Sequence, residues 1–126
     1  MIEEVGYLVL PPEDVRSYVE DACKKQWTER DFPVYGDDLY KSEWKLEEIS
    51  ISAISVDESL LKREKFQQAL KPRVEKQQEL FKSKIAIPPL ILRGSDLRIF
   101  DGYARYHFFK ELGVKQCLAY VGRRDN

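Results

Sequence analysis

The stretch Pro88–Gly122 reads PPLILRGSDLRIFDGYARYHFFKELGVKQCLAYVG, and its punctuation sets the fold. Pro88-Pro89 stops whatever precedes it, and Leu90-Ile91-Leu92 is a short apolar run of the kind a buried strand needs. Arg93-Gly94-Ser95-Asp96 is turn chemistry, and Leu97–Phe100 returns as a second strand, so a hairpin is predicted. From Gly102 to Leu112 the residues Ala104, Phe108, Phe109 and Leu112 recur at helical spacing. Gly113 then suits a left-handed helix end, and Gln116–Val121 reads as a last strand.

Upstream, Val5–Leu10 is an apolar run that reads as a strand, stopped by Pro11-Pro12. Val15, Tyr18, Val19, Ala22 and Cys23 mark an amphipathic helix from Pro12 to about Trp27, with Glu13 and Asp14 at its positive end. Residues 28–48 hold Pro33, Gly36 and paired acids without a sustained period, which predicts a long loop with a short helical turn near Tyr40–Lys45. Trp27 and Trp44 are expected to anchor this segment. Ile49–Ser55 alternates as a strand would, and Asp57 is placed to cap a helix reaching Leu70. Pro72 predicts a break at Lys71 and a new helix with Val74, Gln77, Leu80 and Phe81 turned inward. The expected fold class is α+β, a small mixed sheet flanked by helices. One domain spans 1–126, with 1–48 a strand–helix–loop extension and 49–122 the core.

Chemistry concentrates where a strand delivers Asp101-Gly102 into a helix start. The first amides of a helix lack intrahelical partners, and the macrodipole places roughly half a positive charge there. Gly102 lets backbone and anion approach closely, so the amides of Tyr103, Ala104 and Arg105 are expected to face a phosphate that the Arg105 guanidinium grips. The same five residues also fit a tight turn carrying a surface arginine.

The order of elements from Pro88 onward resembles the ParB/sulfiredoxin superfamily: a Pro-led apolar strand, a turn, a strand, a glycine-anchored helix, then Lys110-Glu111-Leu112-Gly113 and a strand. The likeness covers about residues 49–122. ParB members carry a Gly-Glu-x-Arg box and some archaeal small-molecule kinases of this fold carry Asp-Gly-His-x-Arg; Asp101, Gly102 and Arg105 keep three of these positions. The resemblance implies that Asp101–Arg105 holds the phosphates of CTP, ATP or ADP, with Asp101 shaping the loop or holding Mg²⁺ through water. Sulfiredoxin needs Cys and His where this chain has Tyr103 and Ala104, so sulfinic acid repair is excluded, and the kinase histidine is missing too. ParB proper adds a helix-turn-helix reader after this domain, so a free-standing clamp on DNA is not expected without a partner chain.

Other classes recede on composition. With 43% hydrophobic and 34% charged residues, a single core under a solvated surface is expected, and fifteen aromatics argue against disorder. No apolar run approaches the ~20 residues that cross a bilayer, and residues 1–4 are acidic where a targeting signal is basic, so no membrane partner and a cytoplasmic site are expected. Cys23 and Cys117 form no metal set, no other cluster shows ligand spacing, and Asp37-Asp38 reads as solvated. The net charge of −1 divides into an acidic first part, to residue 48, and a basic remainder. Lys62, Arg63, Lys65, Lys71, Arg73 and Lys76, continued by Lys82 and Lys84, form a candidate nucleic-acid face or a solvated helix face. His107 is expected to be structural. Tyr103 and Tyr106 either stack on a base or divide between solvent and core.

The leading expectation is a nucleotide-binding ParB-like module, regulatory or DNA-associated. A phosphotransferase or nuclease on the same scaffold is one alternative, needing a general base for which Glu47, Glu48, Glu58 and Glu75 are available. A protein–protein interaction domain with a degenerate nucleotide site is the other.

Overall fold

The computed structural model describes residues 5–124 as an α+β fold; the acidic start at residues 1–4 lies outside them. In chain order the elements are α1 (Pro12–Gln26), α2 (Phe32–Lys41), β1 (Glu43–Ser50), a 3-10 turn (Ile51–Ala53), α3 (Glu58–Leu61), α4 (Glu64–Lys82), β2 (Leu90–Arg93), β3 (Ile99–Asp101), α5 (Tyr103–Leu112) and β4 (Gln116–Arg123). The four strands form one mixed sheet in the order β1-β4-β2-β3. β4 runs antiparallel to β1 and parallel to β2, and β2 with β3 makes the predicted hairpin.

Strand alternation splits the apolar residues between two faces. Leu90, Leu92, Ile99, Ala119 and Val121 point toward a core with Val74, Phe108 and Phe109 from α4 and α5. Ile91, Phe100 and Tyr120 point the other way, into a second core with Val15, Val19 and Cys23 of α1, Leu39 of α2 and Trp44. Residues 12–41 therefore supply the helical layer over one face of the sheet. Trp27 stacks edge-on against Phe100 at 5.0 Å and Trp44 packs over Gly122, where a Cβ would sit 2.6 Å from the indole. Arg16 fastens the layer, donating to the carbonyls of Tyr40 and Ser42.

Several elements depart from the sequence reading. Val5–Leu10 is not a strand: it makes a single parallel bridge, Tyr7 to Ile87, and is held by Tyr7 stacking on Phe109 and by the Leu10 amide donating to the Tyr120 hydroxyl. The expected loop over 28–48 contains α2 and most of β1. Pro33 lies in the first turn of α2, where a missing N–H costs nothing, and Tyr35 and Leu39 turn inward. β1 begins at Glu43 because its charged residues occupy a strand at the sheet edge, and the chain leaves the sheet at Ile51. Asp57 caps α3 as expected, its carboxylate accepting from the Leu60 amide. The helix break falls at Lys62-Arg63, however, and α4 runs unbroken through Pro72. One lost hydrogen bond is tolerated there because Leu70, Val74, Leu80 and Phe81 pack on the core.

Candidate functional site

β3 carries Asp101 to the start of α5, and Gly102 makes the turn at φ +116°, a conformation other residues rarely adopt. A Cβ on Gly102 would lie 2.6 Å from Leu90 Cδ2 and 2.9 Å from Arg105 Nη2. The glycine thus makes room for the chain's own side chains. The Tyr106 amide closes the first helical bond to the Gly102 carbonyl at 2.8 Å. The amides of Tyr103, Ala104 and Arg105 find no acceptor among the described residues, and no side chain caps them. That leaves the positive end of α5 open.

Arg105 is placed differently from the expectation. Its Nη2 lies 2.9 Å from Asp101 Oδ2, its Nη1 3.5 Å from the Pro88 carbonyl oxygen, and its side chain is only 9% exposed. A buried guanidinium takes the nearest carboxylate, and the turn at Gly102 brings Asp101 to it. Cys23 lies in the field of the same carboxylate: burial first, then the Asp101 charge, pushes its thiol up to about 12. Cys117 is likewise raised to about 12 by burial, and both free cysteines are buried, an environment that disfavours the thiolate.

In front of α5 opens a cleft of about 1370 Å³. Its floor is Asp101–Arg105 with Ile99 and Phe100. One wall is the α1–α2 connection, including Trp27, Arg30 and Asp31; the other is Arg63 and the helix it precedes, α4, presenting Phe66, Arg73, Lys76 and Gln77. The lining holds six cations (Arg30, Arg63, Arg73, Lys76, Arg98, Arg105) against four acids (Glu29, Asp31, Asp57, Asp101). Asp57 is engaged by Arg98 at 3.0 Å and Asp101 by Arg105, while Asp31 accepts from the Thr28 amide. Arg30, Arg63, Arg73 and Lys76 have no ion-pair partner among the described residues; Arg30 has Glu29 and Asp31 beside it in the lining, so the uncompensated positive charge lies on the α4 wall.

The basic stretch of the sequence is thereby divided. Arg63, Arg73 and Lys76 line the cleft, whereas Lys62, Lys65 and Lys71 are exposed elsewhere on the helical surface. Helical geometry sets Lys71 on the opposite side of α4 from Arg73, since residues three and four apart share a face and residues two apart do not. Tyr103 stands half-buried, its hydroxyl accepting from the Asp57 amide at 3.0 Å and its ring edge-on to Phe66 at 5.4 Å. Burial raises its pKa most, with the Asp57 amide opposing. Tyr106 is buried in the core, so the two tyrosines do not form a pair across the cleft. His107 packs against Tyr106, and its Nε2 is buried without a hydrogen-bond partner. Burial, then Lys110, lowers its pKa, with Glu111 opposing.

None of Glu47, Glu48, Glu58 and Glu75 lines the cleft, and Glu47 is held by Arg123 at 2.8 Å. Asp38 belongs to α2 and bonds Arg93 and Arg124 rather than lying free in a loop. Among the described residues no three His, Cys, Asp or Glu side chains gather as a metal set, and no helix is long and apolar enough to cross a membrane. The sequence reading missed Arg30, Asp57 and Arg98 as cleft residues. In the sequence Asp57 reads only as a helix cap, and nothing local to Arg30 or Arg98 signals a wall of this cleft.

No protein-family model and no curated protein matches the chain. Among solved structures the fold is similar to a crystal form of a Pnob8-like ParB-N domain, with 22% identity and a TM-score of 0.49 over 65% of this chain and 31% of that one. It is similar also to a pNOB8-like ParB N-domain, with 26% identity and a TM-score of 0.44 over 65% of this chain and 28% of the other. The chain spans about three-tenths of the length of these solved chains.

Proposed function

We propose that the cleft binds a phosphate-bearing ligand of the nucleotide class, making the chain a ParB-like regulatory or DNA-associated module. The carrying observation is that the open amides of α5 face one space with Arg63, at the cap of α4, and with Arg73 and Lys76 of α4, all three unpaired among the described residues. Backbone donors, a helix dipole and mobile cations together suit a polyphosphate, whose charge is spread over several oxygens. CTP, ATP and ADP are the ligands that the Asp101, Gly102 and Arg105 positions suggest. Any Mg²⁺ would travel with the ligand's phosphates, because Asp101 is already committed to Arg105. Arg105 joins the ligand only by leaving Asp101.

The test is thermal unfolding with CTP, ATP, ADP or inorganic phosphate, each with Mg²⁺. At a ligand concentration about a hundredfold above Kd, linkage adds roughly 2.7 kcal/mol. Arg73→Ala and Lys76→Ala are the informative variants, since both residues are exposed and in no ion pair among the described residues. No shift with any of these ligands overturns the proposal.

The Asp101–Arg105 pair itself favours a second reading, a protein–protein interaction domain whose nucleotide site has closed on itself. A phosphotransferase or nuclease is less well supported, because Asp57 and Asp101, the cleft acids nearest the start of α5, each carry an arginine.

A further inference from the structure

We infer that two copies of this chain associate through β1, pairing antiparallel about Leu46. This goes beyond the ligand reading and is independent of it.

β1 is an eight-residue strand at the end of the sheet. One of its edges bonds β4 from Glu43 to Ser50, and the other meets no strand among the described residues. Such an edge presents a row of unpaired N–H and C=O groups, a template for another strand. Edge strands are usually protected by charge, and β1 carries Glu43, Lys45, Glu47 and Glu48. The arrangement of these charges is what selects the partner.

In a two-fold antiparallel pair, residues that face each other lie on the same side of the sheet. A register centred on Lys45 opposes lysine to lysine, and one centred on Glu47 or Glu48 opposes glutamate to glutamate. Centring on Leu46 sets Lys45 opposite Glu47 of the second copy, and Glu47 opposite its Lys45. Like charges across strands repel and unlike charges attract, so this register is favoured over those centred on Lys45, Glu47 or Glu48. Centring on Trp44 also opposes Lys45 to Glu43 but pairs only residues 43–45 of β1, against 43–49 here. The register centred on Leu46 also covers Leu46 itself, a large apolar residue left 38% exposed in the single chain. Lys45 is free to turn, since its present contact is an exposed one to Glu43 at 3.3 Å. It meets Glu47 from the open edge, while Arg123 of β4 holds that carboxylate at 2.8 Å from the other side. The two sheets of the pair then continue as one.

The register has a covalent test. Facing Cα atoms of an antiparallel pair lie ~4.5–5.5 Å apart, within the range a disulfide spans. Leu46→Cys places each new thiol opposite its own copy. Glu48→Cys, on the same face, leaves the two thiols ~13 Å apart along the strands. The native cysteines are buried and do not interfere. Light scattering after size exclusion should give the mass of two chains for the full-length protein. Mild oxidation should cross-link Leu46→Cys and leave Glu48→Cys largely single. Lys45→Glu, with an unchanged far-UV spectrum, should return the mass to one chain. A wild-type mass of one chain at every concentration overturns the inference. So does cross-linking of Glu48→Cys as readily as Leu46→Cys, or a folded Lys45→Glu protein that keeps the mass of two chains.

Discussion

Arg105 and Asp101 close an ion pair of 2.9 Å across the turn that opens α5, with the guanidinium resting against Gly102. The pair is both structural and obstructive. It fills space beside the helix end with the chain's own charge, and it holds the cation that an incoming phosphate would seek.

Removing one partner from a pair this buried leaves an uncompensated charge. Asp101→Ala is expected to cost ~3 kcal/mol, seen as a Tm lowered by roughly 10 °C. The same variant frees Arg105, so nucleotide should raise its Tm by more than it raises that of the wild type. A variant as stable as the wild type would mean that the pair is solvent-screened in solution.

Gly102→Ala should be costly for two reasons that add: φ +116° disfavours any side chain, and the new methyl meets Leu90 and Arg105. A loss of at least ~2 kcal/mol in chemical denaturation is expected. Because β3 and α5 meet at this residue, the change should also abolish any nucleotide-induced shift.

His107 sets a pH dependence. Its native pKa lies below the unfolded value of 6.5, through burial first and Lys110 second. The unfolded chain then binds the proton more readily, so stability is complete above 6.5 and declines as pH falls below it. The depressed carboxyls of Glu47, Asp57 and Asp96 contribute only further into acid, below about 4. Urea midpoints compared at about pH 7.5 and about pH 5.5 should fall for the wild type and change less for His107→Gln.

The divided basic stretch separates two ligands. Arg73→Ala or Lys76→Ala should weaken nucleotide binding by about fivefold each, while Lys62→Ala and Lys65→Ala leave it unchanged. If DNA is bound by the outer face, the pattern reverses, and the affinity should fall steeply with salt. Titration of all four variants with nucleotide and with duplex DNA distinguishes the cases.

From Leu90 to Val121 the elements were legible because each carries its own stop signal: Pro88-Pro89, Gly94, Gly102 and Gly113 each end or turn an element. Residues 28–48 were not, since Pro33 and Gly36 look like breakers yet sit in a helix whose inward residues, Tyr35 and Leu39, are few. Pro72 misled in the same way, because local propensity yields when the flanking turns are packed. Arg105 could be placed at the turn but not oriented. Whether a guanidinium faces ligand or carboxylate depends on burial, which sequence spacing does not report.

The helical layer formed by α1 and α2 limits how this gene can be shortened. A fragment beginning at Ile49 keeps the whole stretch that resembles a known superfamily, yet it would present Ile91, Phe100 and Tyr120 to water as one greasy plane. Such a fragment should clump during expression, and any truncation meant to isolate the cleft must retain everything from Pro12 onward.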